Sequence, residues 1–151
     1  MNRLINLVAV FAILFLLGSC GKDSDDPAKP TEKSKILVNY PWLMTSVTDL
    51  KGVAISPSQL NLETRAISEM EIQFLQNNVV KAKDKNTQQV TNGGTWALQE
   101  DTNILDIKIS GFSGAFGVEE ISNSKLKLKN KMPVNGVAGV EAIMVFEPVI
   151  K

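Results

Sequence analysis

The sequence predicts an all-β fold, an antiparallel up-and-down barrel of about eight strands, on three observations. Apolar residues recur at a period of two rather than 3.6 over most of the chain from Ile36 onward. Turn-forming residues punctuate that pattern at short intervals. The strands succeed one another without a long crossover segment, and such a meander removes its sticky edges most completely by closing on itself. A two-sheet β-sandwich satisfies the same pattern and is the alternative. Eight strands leave an interior that side chains just fill, or one that holds a single small ligand.

The N-terminal residues stand outside this pattern. Arg3 precedes an uninterrupted apolar run from Leu7 to Leu17, eleven residues long, where a membrane-spanning helix needs roughly twenty. Small residues, Gly18-Ser19, follow the run and lead into Cys20, the only cysteine of the chain. The order basic end, apolar stretch, small residues is that of a secretory signal over residues 1–19. From Gly21 to Ser34 there is almost nothing to bury, so residues 20–34 read as the cysteine and a polar tether. The folded domain is expected over 35–151.

Within it, strands are expected near Trp42 to Thr48, Glu69 to Leu75, Val79 to Lys83, Thr95 to Gln99, Ile104 to Ser110, Ala115 to Ile121, Lys125 to Lys129 and Val140 to Glu147. Met70, Ile72 and Phe74 alternate with Glu69, Glu71 and Gln73, and after Asn77-Asn78 the chain resumes with Val80 and Ala82 on one parity, which reads as a hairpin. Leu105, Ile107 and Ile109 alternate with polar residues, as do Leu126 and Leu128. Both are half-buried strands with one wet face. Turns are expected at Gly93-Gly94, Asp101-Thr102-Asn103, Ser122-Asn123-Ser124 and Asn135-Gly136. Val140 to Phe146 is apolar on both parities, as for the most covered strand or one facing a partner. The segment from Gly52 to Ser68 fits an irregular strand, a short helix or a loop over one barrel end. Ser110-Gly111-Phe112-Ser113-Gly114 reads as a flexible loop, with Phe112 either exposed at its tip or folded back onto the core.

Composition excludes more than it assigns. The chain has 151 residues, 16 basic against 16 acidic, and no histidine. Balanced charge gives no surface for nucleic acid. Without histidine the usual general base and commonest metal ligand are missing, and a single cysteine cannot build a thiolate site, so histidine triads and histidine or cysteine zinc sites are excluded. Carboxylates remain for an enzyme, but Glu119 and Glu120, as strand neighbours, point to opposite faces. Glu69 and Glu71 share what reads as the wet face, where nothing raises a pKa. The expectation is a protein without catalytic residues, metal or cofactor.

Two resemblances add to this. Leu17-Gly18-Ser19-Cys20 resembles the lipobox of bacterial lipoproteins, which implies cleavage before Cys20, a thioether-linked diacylglycerol on its sulfur and an acyl chain on its new amino group. Lys22-Asp23-Ser24-Asp25-Asp26 resembles the acidic signals of lipoproteins exported to the outer face of the outer membrane, and Gly21 stands where an aspartate would signal inner-membrane retention. The implied location is the bacterial outer membrane, lipid-anchored, facing the periplasm or displayed on the cell surface.

Further along, Pro41-Trp42-Leu43-Met44 and Gly94-Thr95-Trp96-Ala97-Leu98 resemble the tryptophan-headed strands of lipocalin-like domains in small bacterial lipoproteins; at the glycine those domains carry two residues before the first tryptophan, this chain has Tyr40. The resemblance implies a lipocalin-like barrel binding a small apolar or amphipathic ligand, with Trp42, Trp96 and Phe112 as candidate ligand contacts. Core plugging is the competing role for both tryptophans. The alternative function is a non-catalytic accessory protein docking on another envelope component.

Overall fold

The computed structural model describes residues 30–150. The expectations for residues 1–19, for Cys20 and for the first part of the tether lie outside the described residues. Eight strands run in chain order: β1 (Trp42–Thr48), β2 (Met70–Phe74), β3 (Val79–Asp84), β4 (Val90–Gln99), β5 (Ile104–Ile109), β6 (Phe112–Ile121), β7 (Leu126–Val134) and β8 (Val137–Pro148). Each pairs antiparallel with the next, and β8 returns to β1 from Trp42↔Pro148 to Thr48↔Ile143. The sheet is therefore a closed up-and-down barrel, and the sandwich alternative falls because no strand keeps a free side at a sheet edge.

A helix closes each end. At the end where β1 begins, α1 (Glu32–Asn39) lies across the opening. Thr31 caps it by accepting a hydrogen bond from the Ser34 amide at 3.2 Å, and Glu32 sits in the first turn, where the helix dipole favours a negative charge. The helix starts inside the stretch read as tether, because that stretch conceals an N-cap. Its Leu37 is fully buried, and the Trp42 indole N–H donates to the Leu37 carbonyl at 2.9 Å, fixing helix and first strand together.

At the opposite end the segment between β1 and β2 folds over the mouth. It makes one 3-10 turn (Pro57–Gln59) and a short helix, α2 (Leu62–Ile67), which buries Thr64 and Ile67. Of the three readings for Gly52 to Ser68, the loop over a barrel end with a short helix is the one observed. The wall beneath it is split. The β6–β7 ladder runs from Ile121↔Leu126 to Gly117↔Lys129 and stops, so the remaining turns of both strands diverge towards α2. Leu60 bridges to Val134, and the Asn135 amide donates to the Gln59 carbonyl at 2.6 Å, closing the top of the split.

The interior is occupied. Trp42, Phe74, Phe146, Ile72, Leu105, Ile107, Ile109, Leu126 and Leu128 are among the largest fully buried side chains. Their alternation with polar residues places them on the inner face, which is the filled state an eight-strand barrel allows.

Three expectations need correction. Gly93-Gly94 is no turn: both residues lie within β4, paired with Lys81 and Val80 of β3. A Cβ at Gly94 would sit 1.7 Å from the Lys108 carbonyl oxygen of β5, so this glycine serves a close backbone approach. The loop expected at 110–114 is only the turn Ser110-Gly111, with Gly111 at φ +79, and Phe112 opens β6 with 3 % exposure. β7 continues past Lys129 to Val134, with its register shift at Pro133, a bulge position that tolerates the missing N–H. The hairpin at Asn135-Gly136 is as expected, both residues having positive φ (52 and 78).

Candidate functional site

Trp42 is 0 % exposed, its indole N–H spent on Leu37; it plugs the barrel at the α1 end. Phe112 packs at 5.0 Å from Phe116 and 6.0 Å from Phe146, ring centroid to centroid, on the inner face near α2. Trp96 plays two parts. Its ring meets Phe74 edge-on at 5.6 Å, and its indole N–H donates to the Leu75 carbonyl at 3.0 Å, so it belongs to the core. It also lines a cleft outside the barrel. The three candidate residues are thus not brought together: Trp42 and Trp96 stand at the α1 end, Phe112 at the α2 end.

The cleft lies between α1 and β4 and has a volume of about 640 Å³. One wall is a face of α1, where Thr31, Ser34, Lys35 and Val38 recur at three- and four-residue spacing. The other is β4, with Trp96, Ala97 and Leu98, and the β2–β3 turn adds Gln76 and Asn78. Val38, Trp96, Ala97 and Leu98 are the cleft's apolar lining residues, Trp96 and Leu98 from the inward-facing parity of β4 and Ala97 from the outward one. The charges at its rim are committed: Lys35 pairs with Glu32 at 2.6 Å, and Glu100 accepts a hydrogen bond from the Thr31 hydroxyl. Lys33 reaches the Asn103 side-chain oxygen at 2.7 Å and clamps the helix to the β4–β5 turn. Ligand clefts commonly measure about 300–1,000 Å³, and this one falls in that range.

A second, smaller recess sits in the split between β6 and β7, under α2. It measures about 140 Å³, with Phe112, Phe116, Met132 and Met144 as its floor and Glu63 and Lys131 at its rim. That is well below a ligand cleft and about the size of a cavity that takes a benzene ring.

The carboxylates singled out for acid–base work are held apart. Glu120 pairs with Lys127 at 2.8 Å, and Glu119 with Lys129 at 2.9 Å. The hydrogen bond from Lys127, then that from Ser122, holds the Glu120 carboxyl below the usual carboxylate range. Glu119, hydrogen-bonded to Lys129, raises that ammonium's pKa. Glu69 pairs with Lys85 at 2.8 Å. Glu71 departs from expectation: it is only 4 % exposed, because Gln88 of the β3–β4 turn folds over it and donates to its carboxylate at 2.8 Å.

No family model matches this chain, and no curated protein matches it. Trp96 was visible in the sequence as a candidate, whereas Val38, Ala97, Lys35 and Glu100 were not. The signal that could have found the helical wall is Thr31 followed by Glu32 ahead of Ile36-Leu37-Val38, an N-cap leading into apolar residues.

Proposed function

We propose that this is a lipid-anchored envelope protein with a lipocalin-like barrel that binds an apolar or amphipathic ligand on the outside of that barrel, in the cleft between α1 and β4. The observation that carries the reading is the 640 Å³ apolar-floored cleft beside a filled interior. The lipobox-like Leu17-Gly18-Ser19-Cys20 supports the anchor, and the end of the domain bearing the cleft is the end at which the chain leads back to Cys20. Surface display on the outer membrane is part of the same proposal, supported by the acidic run behind the cysteine.

The test is thermal denaturation of unacylated protein (Cys20→Ser) with long-chain acyl methyl esters, fatty acids, haem and sterols. A rise in melting temperature with an acyl compound, abolished by Ala97→Arg, is expected. Ala97 is exposed and pairs with Asp106 across the ladder, so the arginine obstructs the cleft and leaves the core intact. No rise with any compound, or a rise that Ala97→Arg leaves unchanged, contradicts the proposal.

Docking on another envelope protein is the second reading, favoured by one observation. Five of the six exposed large apolar residues among those described, Leu50, Val53, Leu62, Val90 and Val137, lie at the α2 end, away from the tether; the sixth, Ile150, follows β8 at the α1 end. It requires a stoichiometric complex from the native membrane that Leu62→Glu and Val137→Glu dissociate.

A further inference from the structure

The wall of the cleft begins at Pro30, ten residues after Cys20. We infer that the cleft is a holding site for one acyl chain of the lipid on Cys20, filled when the protein is away from a membrane. The inference rests on the ligand reading above and on acylation of Cys20.

Reach, charge and competition each point to that occupant. Ten residues span at most about 35 Å when extended, and the cleft opens where that span ends, so a chain on Cys20 can fold back into it. A ligand on so short a linker meets its site at an effective concentration on the order of millimolar. That is a large advantage over a free lipid, which is scarce in water. The lining suits an esterified or amide-linked chain better than a free fatty acid. The cleft offers Val38, Trp96, Ala97 and Leu98 as apolar lining, while its rim charges already have partners, Lys35 with Glu32 and Glu100 with Thr31. An ionised carboxylate head would find no uncommitted cation among these rim residues; a neutral chain needs none.

A bilayer encloses an acyl chain on all sides, whereas this cleft keeps an open side and polar neighbours. The bilayer therefore takes the chain when one is present. The cleft covers it during any interval without one, lowering the apolar surface shown to water.

The experiment uses a nitroxide-labelled stearoyl methyl ester as a quencher of Trp96 fluorescence. It compares unacylated protein (Cys20→Ser) with acylated protein released from its membrane and kept below the micelle concentration of the detergent used. Trp42, fully buried beneath α1 at the same end, adds its own signal, and the Trp96→Phe protein measures that share. Expected is strong quenching of the unacylated protein, at least fivefold weaker quenching of the acylated protein, and loss of quenching in unacylated Ala97→Arg. Equal quenching of both forms overturns the inference while the ligand reading survives, since the cleft then takes lipid from outside and not its own chain. Quenching of neither form removes the ligand reading and the inference with it.

Discussion

The two ends of the barrel are both closed by a helix, yet they are closed in opposite ways. At the α1 end the helix is part of the core: Leu37 is fully buried and the Trp42 indole is bonded to its carbonyl. At the α2 end a six-residue helix rests over a wall that has already come apart, and it leaves a recess of about 140 Å³ beneath it. At the well-plugged end the open space lies on the flank of the plug, where the larger cleft is found. A loosely covered end keeps only a small space, and its exposed apolar residues face away from the tether. A filled barrel thus still carries a cleft of about 640 Å³ on its flank.

The largest effect is expected where the two halves of β4 meet. Towards α2, β4 pairs with β3, as far as Val79↔Thr95; towards α1 it pairs with β5 instead, beginning at Thr95↔Lys108. Gly94 sits at that junction, and the backbone of Lys108 occupies the place of a side chain. Gly94→Ala should prevent the native fold, seen as loss of the sharp thermal transition and of near-ultraviolet circular dichroism. A cooperative, native-like Gly94→Ala protein would show that the strands can part there.

Next come the two plugs. Trp42→Ala removes a large buried ring and orphans the Leu37 carbonyl, which should cost about 3–5 kcal/mol in chemical denaturation. Ile67→Ala, under α2, should cost about 2 kcal/mol, near the low end for such truncations, because the split wall beside it can relax. Equal costs would remove the distinction between a plug and a lid.

A smaller effect should appear in hydrogen exchange. Amides of residues 113–116 and 130–132, beyond the end of the β6–β7 ladder, should exchange faster than those of 117–121 and 126–129 within it. Uniform protection along both strands would mean the split is not open in solution.

The smallest effect concerns the turns. Asp84 accepts hydrogen bonds from the amides of Thr87 and Asn86 at 2.7 and 2.9 Å, and these hold its carboxyl below its ordinary value. At the other end Glu120 is lowered in the same way, chiefly by Lys127. A carboxyl with a depressed pKa in the fold stabilises fully above its unfolded value, near 4, and loses that contribution as the pH falls through the folded value. Stability should therefore decline as the pH drops below about 4. Asp84→Ala should destabilise at pH 7 and become neutral at the acid end of the range, as followed by melting temperature against pH. A penalty independent of pH would contradict the role assigned to the carboxylate. Lys129, raised by Glu119, acts in the opposite sense, its contribution present below the ordinary lysine value and fading at strongly alkaline pH.

Most of the barrel was readable because one face of each strand is wet. Leu105, Ile107 and Ile109 or Leu126 and Leu128, set between polar residues, leave little choice of register. What escaped is where backbone or capping chemistry overrides composition. Gly93-Gly94 reads as a turn in any local window, since the reason for it is a strand packed against it and not a bend. Thr31-Glu32 reads as tether because only one residue of the helix that follows, Leu37, is fully buried. Phe112 was open between loop tip and core, and pairing with Ile109 decides for the core. Glu71 follows the wet-face parity of its strand, yet a turn residue far along the chain, Gln88, covers it. The candidate site was half visible for the same reason: Trp96 announces itself by type, while its partners across the cleft depend on where α1 comes to rest.

Photochemical mapping decides whether an acyl ligand binds outside the filled barrel. A long-chain acyl methyl ester carrying a diazirine at its end is irradiated with the unacylated protein, and the labelled peptides are sequenced by mass spectrometry. The account predicts label on α1 and the end of β4, at residues such as Val38, Ala97 and Leu98, and its loss in Ala97→Arg. Label concentrated on inward residues such as Phe74, Leu105 or Ile107 would place the ligand inside the barrel and contradict it.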